Sequence, residues 1–312
     1  MKIVFMGTPD YAVKTLEAII NAGHTVSAVF AQPDKPVGRK RILTPPPVKV
    51  CAEENGIKVY QPQTLKDGEA EKILKEINPD AIVVVAYGKI LPKEILSIPK
   101  YGCINGHASL LPKYRGSAPI QWSIICGETV TGITTMYMDT GIDTGDILET
   151  SEVKIGDTET AEELFERLSV VSAELMISTL EKLPKGEIVP KKQNEDEATY
   201  APMIKKEMAL IDFNKTADEV HNAIRGYYSW PCAYFFLNGK RIKVIKAEKG
   251  SATKEKAGTV ISNTNEFAIA CKDNTSIRLL NVQPEGSKAM TAKQFLCGNS
   301  VELGFLIGEG NG

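Results

Sequence analysis

The chain has 312 residues, of which 43% are hydrophobic and 24% are charged, and its formal net charge is −2. This length suffices for about two domains with separate cores, and the near-neutral charge excludes recognition of a nucleic acid through the overall field of the protein. Any contact with nucleic acid must therefore come from a local basic patch.

The six cysteines lie far apart, with no C-x-x-C pair and no histidine at the spacing of a zinc site. We interpret them as reduced thiols of a cytoplasmic protein that mostly fill the core. The first apolar run is interrupted by Asp10, and no segment approaches the ~18 apolar residues of a membrane span. We therefore expect neither secretion nor insertion into a membrane.

The first half of the chain alternates short apolar runs with helical patterns. Residues 2–6 and 25–30 are predicted strands, and the apolar residues between them repeat at helical spacing until Gly23. A strand, a helix and a strand in this order imply a parallel sheet with a right-handed crossover. The fully apolar run 81–86 is typical of a strand covered on both faces. The predicted fold class is α/β, with a Rossmann-like, mostly parallel sheet in this domain.

A long helical pattern begins at a capping box formed by Thr160 and Glu163 and ends near Gly186. Residues 191–202 are polar and poor in strand-forming residues, so we interpret them as a linker. Beyond them, Thr216 and Glu219 are predicted to cap one short helix. Short strands, with turns such as Asn238-Gly239, are then predicted at residues 233–237, 241–247, 258–262, 267–270 and 276–281. Such a series predicts a small OB-like β-barrel. The predicted division is a catalytic domain at 1–189, a linker at 190–207 and an OB-like domain at 208–312.

An amide and an imidazole stand two residues apart at the end of an apolar run. If residues 101–105 form a buried strand, the alternation of side chains directs Asn105 and His107 to the same side. An imidazole exchanges a proton near neutral pH and a carboxamide donates to a developing oxyanion, so the pair is suited to acyl transfer. Of the three histidines, His107 alone follows a predicted strand at the edge where open α/β sheets place their ligands. A hydrogen-bonded structural histidine is the alternative for this pair alone.

Three aspartates, Asp139, Asp143 and Asp146, stand within eight residues. They could bind a divalent cation, but a calcium loop has acidic residues at alternate positions and a terminal glutamate. We prefer the interpretation that one of these carboxylates pairs with His107, supports its protonated form and fixes its tautomer. No metal is therefore predicted.

Two regions are basic. Residues 34–49 contain five basic residues and one acidic residue, and their glycine and four prolines predict a loop without regular structure. Residues 205–256 carry 11 basic and 6 acidic residues. Both regions are suited to contacts with phosphates, and a solvated surface is the alternative.

Several motifs together resemble the family of methionyl-tRNA formyltransferases, and more broadly the enzymes that carry formyl groups on tetrahydrofolate. The family's N-x-H and SLLP motifs stand at Asn105, His107 and residues 109–112, and its G-[LI]-D-T-G-D motif places the aspartate at Asp143. The resemblance extends over nearly the whole chain. Family members often have valine at the position of Gly106, and we expect this change to affect packing more than chemistry.

The resemblance implies transfer of the formyl group of 10-formyltetrahydrofolate to the free amino group of methionyl-initiator tRNA, for translation initiation. It implies Asn105, His107 and Asp143 as catalytic residues, with no metal. It implies a folate site formed by Ser109, Leu110, Leu111, Pro112, Tyr87, Gly88, Ile90 and Leu91. The 34–49 loop would enter the acceptor arm with Arg39 at its tip. The residues expected at the tRNA are Arg39, Lys40, Arg41, Lys243 and Lys246.

The same site could serve other acceptors, namely glycinamide ribonucleotide, an amino sugar nucleotide or water. Enzymes that use the first usually lack a second domain of this size, and an amino-sugar enzyme would lack the basic loop. A non-catalytic RNA-binding protein is the alternative from another class. It leaves Asn105, His107 and Asp143 unexplained.

Overall fold

The structure is a computed structural model that describes residues 1–38 and 40–307. Its contacts divide the chain into two compact units. The first unit consists of Met1–Pro119, Val130–Lys154 and Phe165–Ala201, and the second of Ile120–Thr129, Ile155–Leu164 and the chain from Pro202 onward. The division at 1–189, 190–207 and 208–312 stays a prediction.

The described strands are β1 (Lys2–Gly7), β2 (Thr25–Phe30), β3 (Lys35–Val37), β4 (Ile42–Thr44), β5 (Val59–Tyr60), β6 (Ala81–Val85), β7 (Cys103–His107), β8 (Arg115–Gly116), β9 (Val130–Tyr137), β10 (Ile147–Lys154), β11 (Tyr200–Ala201), β12 (Tyr234–Leu237), β13 (Lys240–Lys249), β14 (Val260–Asn263), β15 (Phe267–Ala270), β16 (Ser276–Pro284) and β17 (Met290–Thr291). The described α-helices are α1 (Asp10–Asn21), α2 (Pro47–Glu54), α3 (Glu69–Ile77), α4 (Lys93–Leu96), α5 (Pro119–Ile125), α6 (Ala161–Lys182), α7 (Ala217–Gly226) and α8 (Ala292–Gly298). None of these helices has the length and apolarity that a membrane crossing requires.

Within the described residues, the first unit is built around a seven-stranded sheet of order β10-β9-β7-β6-β1-β2-β5. The pairs from β5 to β7 are parallel, while β7 pairs with β9, and β9 with β10, in antiparallel orientation. Every residue of β6 is buried because this strand lies in the middle of the sheet. The predicted Rossmann-like, mostly parallel sheet is confirmed.

The parallel strands end at one edge of this sheet, where α/β folds place their ligands. The register pairs Gly7 with Val85 and Val84 with Asn105. A buried cluster supports this edge: Val4, Met6, Ala28, Phe30, Leu74, Ile82, Val84, Tyr87, Leu91, Ile95 and Cys103. Burial raises the pKa of the Cys103 thiol to about 12, which keeps it protonated as an apolar filler.

The second unit contains, among the described residues, an antiparallel sheet of order β12-β13-β16-β15-β14, with β17 paired to β16. All five strands predicted for this region are present, with shifted ends. Helix α7 begins at the predicted capping box, in which Thr216 and Glu219 bond each other's main-chain N–H. Asn238 and Gly239 both have positive φ, as a two-residue hairpin turn requires. The predicted OB-like barrel module is confirmed.

Two expectations about local structure are wrong. The 34–49 region is not irregular, because β3 and β4 pair as a hairpin around Gly38, and α2 begins at Pro47, whose fixed φ suits the first helical position. The strand that carries the amide and imidazole pair is β7, Cys103–His107, rather than residues 101–105. Gly102 has a φ of +77°, so the extended backbone begins only after it.

Candidate active site

Asn105 and His107 lie on the same face of β7, the strand between β6 and β9. Gly106 faces the opposite way, and a β-carbon there would lie 3.0 Å from Oγ of Ser172 and 3.5 Å from Cε of Met176. The two-residue period of the strand therefore directs the amide and the imidazole away from α6. His107 is the last residue of β7, so its ring stands at the ligand edge of the sheet.

Asp143 lies in the connection between β9 and β10 and contacts both side chains. Its Oδ1 accepts a hydrogen bond from Nδ2 of Asn105 at 3.3 Å, and its Oδ2 lies 3.6 Å from Nδ1 of His107. The second distance is that of an ion pair rather than of a hydrogen bond. The connection needs Gly145, since a β-carbon there would collide with the carbonyl of Tyr137. The structure thus brings together the three side chains proposed for catalysis.

Both nitrogens of the His107 ring face oxygen atoms. Nε2 lies 2.9 Å from the main-chain oxygen of Tyr114, and only 6% of His107 is exposed. A carbonyl oxygen only accepts, so Nε2 carries the hydrogen and Nδ1 faces the carboxylate of Asp143. The neutral ring therefore has Nδ1 as its basic atom, and the protonated ring can donate from Nε2 to Tyr114 and form an ion pair with Asp143.

The SLLP segment is folded by its own polar groups. Oγ of Ser109 donates to the oxygen of Lys113 at 2.6 Å, and the Ser109 oxygen accepts from Oγ1 of Thr134 at 2.7 Å. Four residues after the segment, the N–H of Gly116 donates to Oδ2 of Asp143 at 2.8 Å. The Ser109 hydroxyl therefore holds the loop in shape, and the loop in turn holds the Asp143 carboxylate.

The residues expected at the folate differ in exposure: Ser109, Leu111, Tyr87 and Leu91 are buried, Leu110 and Pro112 half-buried, and Gly88 and Ile90 exposed. The Tyr87 ring belongs to the core, and burial raises the pKa of its phenol. Its main-chain oxygen accepts from Nε2 of Gln32 at 3.0 Å. The exposed positions at this edge are Gly88 and Ile90, the latter 71% exposed. A folate site at these residues stays a prediction.

The other two aspartates of the acidic loop have different positions. Oδ1 of Asp139 accepts from the N–H of Gly141 at 2.9 Å and from Oγ1 of Thr144 at 2.6 Å, so this carboxylate shapes the connection that carries Asp143. The main-chain oxygen of Asp146 accepts from Tyr137 at 2.9 Å. In the part of the chain that the structure describes, no three His, Cys, Asp or Glu side chains are grouped so as to hold a metal ion.

The basic loop forms a hairpin that is anchored at its base. Asp34 accepts from Nε2 of Gln61 at 2.7 Å and from Nζ of Lys49 at 3.0 Å, and these two bonds lower the pKa of its carboxyl. Arg39 lies outside the described residues, and its neighbours Lys40 and Arg41 are exposed. The hairpin also exposes apolar side chains, namely Val37, Ile42 and Leu43. It therefore presents both charge and apolar surface to solvent.

Lys243 and Lys246 lie on β13 in the second unit. The pairing of β13 with β16 is irregular on both sides of Lys246, as in a β-bulge. Because Val244 and Ala247 are both buried, this irregularity leaves Lys243 half-buried and Lys246 exposed on the outer side. A role of either lysine in RNA binding stays a prediction.

Sequence reasoning missed three residues near Asp143, namely Arg115, Gln193 and Glu195. Gln193 and Glu195 belong to the stretch interpreted as a linker, which in the structure pairs Lys191 with Ile147 and forms a 3₁₀ turn at Glu195–Glu197. A polar stretch without periodicity carried no signal for these contacts. The charged side chain of Arg115, three residues after the SLLP motif, was the sequence signal that could have indicated them.

Comparison with known families shows two matches. Residues 1–180 match the family described as "Formyl transferase", and residues 203–300 match "Formyl transferase, C-terminal domain". The chain is 50% identical over 304 residues to a methionyl-tRNA formyltransferase of Thermodesulfovibrio yellowstonii, with 97% of each chain covered. It is 47% identical over 309 residues to that of Caldanaerobacter subterraneus subsp. tengcongensis, with 98% of this chain and 100% of the relative covered.

Solved structures have the same fold. The methionyl-tRNA formyltransferase from Clostridium thermocellum matches with a TM-score of 0.55 and 25% identity, and covers 80% of this chain and 93% of its own. A sugar 3N-formyl transferase matches with a TM-score of 0.67 and 23% identity, over 92% of this chain and 99% of its own. The second likeness shows the fold alone.

Proposed function

This chain belongs to the formyl transferase family, and we propose that it transfers the formyl group of 10-formyltetrahydrofolate to the amino group of methionyl-initiator tRNA. The product is N-formylmethionyl-tRNA, which starts translation. The observation that carries the proposal is the similarity over 97% of the chain to a methionyl-tRNA formyltransferase. The juxtaposed Asn105, His107 and Asp143 supply groups that this reaction needs.

The attacking amine must lose a proton. An α-amino group has a pKa of roughly 7.7–8.0, so part of it is protonated at neutral pH and a base at the site favours the nucleophilic form. Nδ1 of His107 takes the proton that the amine releases as the new C–N bond forms. Asp143 Oδ2, 3.6 Å away, then faces a charged imidazolium and stabilises it.

The tetrahedral intermediate carries a negative oxygen. One amide hydrogen of Asn105 is directed to Asp143 at 3.3 Å, which orients the carboxamide, and the other hydrogen is the donor to this oxygen. Collapse of the intermediate breaks the bond between the formyl carbon and N10 of the folate. The imidazolium of His107 returns its proton to N10, so proton and charge balance over the cycle without a metal.

The remaining contacts are also proposals. We place the folate along Tyr87, Gly88, Ile90 and Leu91 and the segment 109–112, at the edge where the parallel strands end. We assign tRNA contacts to Arg39, Lys40 and Arg41 and to Lys243 and Lys246, on the strength of their charge. We place the reaction in the cytoplasm, where initiator tRNA is charged.

Transfer of labelled formyl from the folate to charged initiator tRNA tests the proposal. Glycinamide ribonucleotide, an amino sugar nucleotide and water are the competing acceptors. We expect methionyl-tRNA to be formylated with the highest kcat/KM by far. A higher kcat/KM for either small acceptor would refute the assignment.

A further inference from the structure

The carboxamide of Gln193 uses all its hydrogen-bonding capacity next to Asp143. Its Nε2 donates to the main-chain oxygens of Asp143 and Gly145, both at 2.8 Å. Its Oε1 accepts from Nε of Arg115 at 3.0 Å and from a terminal nitrogen of Arg115 at 2.8 Å. An amide has two donors and one oxygen that can accept twice, so no other side chain of this size satisfies all four partners.

Arg115 is buried completely and is itself fixed. Its two terminal nitrogens each donate to one oxygen of Glu195 at 2.8 Å, the paired geometry in which a planar guanidinium binds a carboxylate. These bonds raise the pKa of Arg115 and lower that of Glu195, so both groups stay charged. Gln193 is thereby held at its oxygen by a rigid cation.

The backbone of Asp143 needs such support. Its φ of +54° lies in the left-handed region, which a residue with a side chain occupies only when its surroundings impose it. Gln193 holds the main-chain oxygen of Asp143, and Gly116, the neighbour of Arg115, holds its Oδ2. Both ends of the residue are therefore held by groups next to Arg115, one bonded to its side chain and the other adjacent to it in sequence.

The same polar stretch also orders the other partner of His107. Tyr114, whose oxygen faces Nε2 of the ring, also has a left-handed φ of +60°. Its N–H donates to Oγ1 of Thr199 at 2.9 Å, and the N–H of Arg115 donates to the Thr199 oxygen at 2.8 Å. The stretch from Gln193 to Thr199 thus bonds the backbone of both residues, Asp143 and Tyr114, whose oxygens flank the imidazole.

We propose that Gln193 and Arg115 are positioning residues for the catalytic Asp143, through the bonds of the Gln193 carboxamide to the backbone at 143 and 145. The inference rests on the proposed function and deepens it. The segment between the two family matches is therefore part of the active site, besides joining two domains.

Two substitutions of Gln193 separate positioning of the Asp143 backbone from mere acceptance of the hydrogen bonds of Arg115. Gln193→Glu keeps the oxygens that accept from Arg115 but has no donor for the backbone oxygens of Asp143 and Gly145, and Gln193→Met lacks both functions. We expect both variants to lower kcat by about 10–100-fold with the KM for folate changed by less than about threefold, since misplacement of a reacting group affects turnover. A Gln193→Glu enzyme with wild-type kcat would overturn the proposal.

A double-mutant cycle checks that the effect passes through Asp143. In an Asp143→Asn background, Gln193→Met should lower single-turnover rates by less than about threefold, because the group that it positions has already been removed. Independent effects that multiply would show a general structural role instead, and would overturn the proposal. Glu197→Gln is the matched control, since Glu197 on the same segment accepts from Asn194 in an exposed bond of 3.0 Å. Circular dichroism monitors folding of all variants.

The two hypotheses fail in different ways. If wild-type enzyme does not formylate charged tRNA, the proposed function is wrong. If wild-type enzyme is active and Gln193→Glu matches it, only the positioning role is wrong.

Discussion

The main-chain N–H of Gly116 donates a 2.8 Å hydrogen bond to Oδ2 of Asp143, the same oxygen that faces the ring of His107. The carboxylate is therefore held in place whether or not the imidazole is charged. Gly116 has a φ of +118°, and a β-carbon there would lie 2.7 Å from the oxygen of Ala201. Only glycine permits this close approach.

Asp143→Asn tests the negative charge of the Asp143 carboxylate. The amide preserves the shape of the side chain, but it cannot stabilise the imidazolium of His107, so we expect a loss of turnover of about 10²–10⁴-fold. Single-turnover transfer of labelled formyl measures the loss, with circular dichroism as the folding control. A rate close to that of the wild type would show that the negative charge is not needed.

Asn105→Ala and His107→Ala should each lower turnover by about 10²–10⁴-fold, the range for loss of one oxyanion donor or of a general acid/base. Both side chains stand at the edge of the sheet, so the fold should survive. The same single-turnover assay applies. The assignment fails if either folded variant keeps a near-normal rate.

Arg39→Ala should severely weaken formylation of charged tRNA while folate affinity stays unchanged, because a guanidinium in a loop can form paired hydrogen bonds to RNA. Formylation and folate binding are measured side by side. Lys14→Ala is the control, since Lys14 is an exposed lysine of α1 that pairs with Glu17. Normal formylation by Arg39→Ala would mean that the hairpin does not read the tRNA.

Lys243→Ala and Lys246→Ala should cause only modest losses of tRNA binding. A lysine that pairs with a phosphate acts through release of counterions, so each loss should shrink as salt rises. The salt dependence should become less steep by about 0.7–0.9 for each phosphate that is no longer neutralised. Binding is measured at several salt concentrations. An unchanged slope would remove these lysines from the interface.

Gly106→Val should destabilise the protein. A β-carbon at this position lies 3.0 Å from Oγ of Ser172, and the further methyl groups of valine approach Met176 on the same helix. Overpacking of a buried strand costs about 1–3 kcal/mol. Urea denaturation of Gly106→Val and of Gly106→Val with Ser172→Ala should show partial recovery in the second variant. Equal stability of all forms would place the strain elsewhere.

Stability should fall in mild acid because of His221 on α7. Its pKa is lowered by burial and by the cations Arg225 and Lys249, so below its ordinary pKa of 6.5 the unfolded chain binds more protons than the folded one. The free energy of unfolding therefore decreases as the pH falls from 6.5 towards the lowered pKa. His221→Gln should flatten this dependence, measured by urea denaturation between pH 7 and 5. The pH dependence of His24→Gln is measured for comparison with that of His221→Gln, because burial and the N-terminal amine lower the pKa of His24 as well. An unchanged slope in His221→Gln would contradict the prediction.

Local pattern was sufficient for much of the fold. The apolar run that forms β6, the capping box at Thr216 and the turn at Asn238 each reflect interactions within a few residues, so the order of residues alone locates them. The two-residue period of a strand also placed Asn105 and His107 on one face. The hairpin of β3 and β4, within the basic region 34–49, was missed because a few cross-strand bonds overrode the preference of that region's prolines for irregular structure.

The sequence by itself determined β1, β2, β6 and β12 to β16, helices α1 and α6, and the polar pair at the end of β7, because these follow from the spacing of apolar and polar side chains. Motif resemblance suggested Asp143, but no spacing rule could pair it with a histidine 36 residues away. Only the tertiary structure decided that its Oδ2 meets Nδ1 of His107 and the N–H of Gly116, and that Gln193 holds its backbone. Such contacts depend on how sheet connections return over the strand ends, and the chain contains no local periodicity that encodes them.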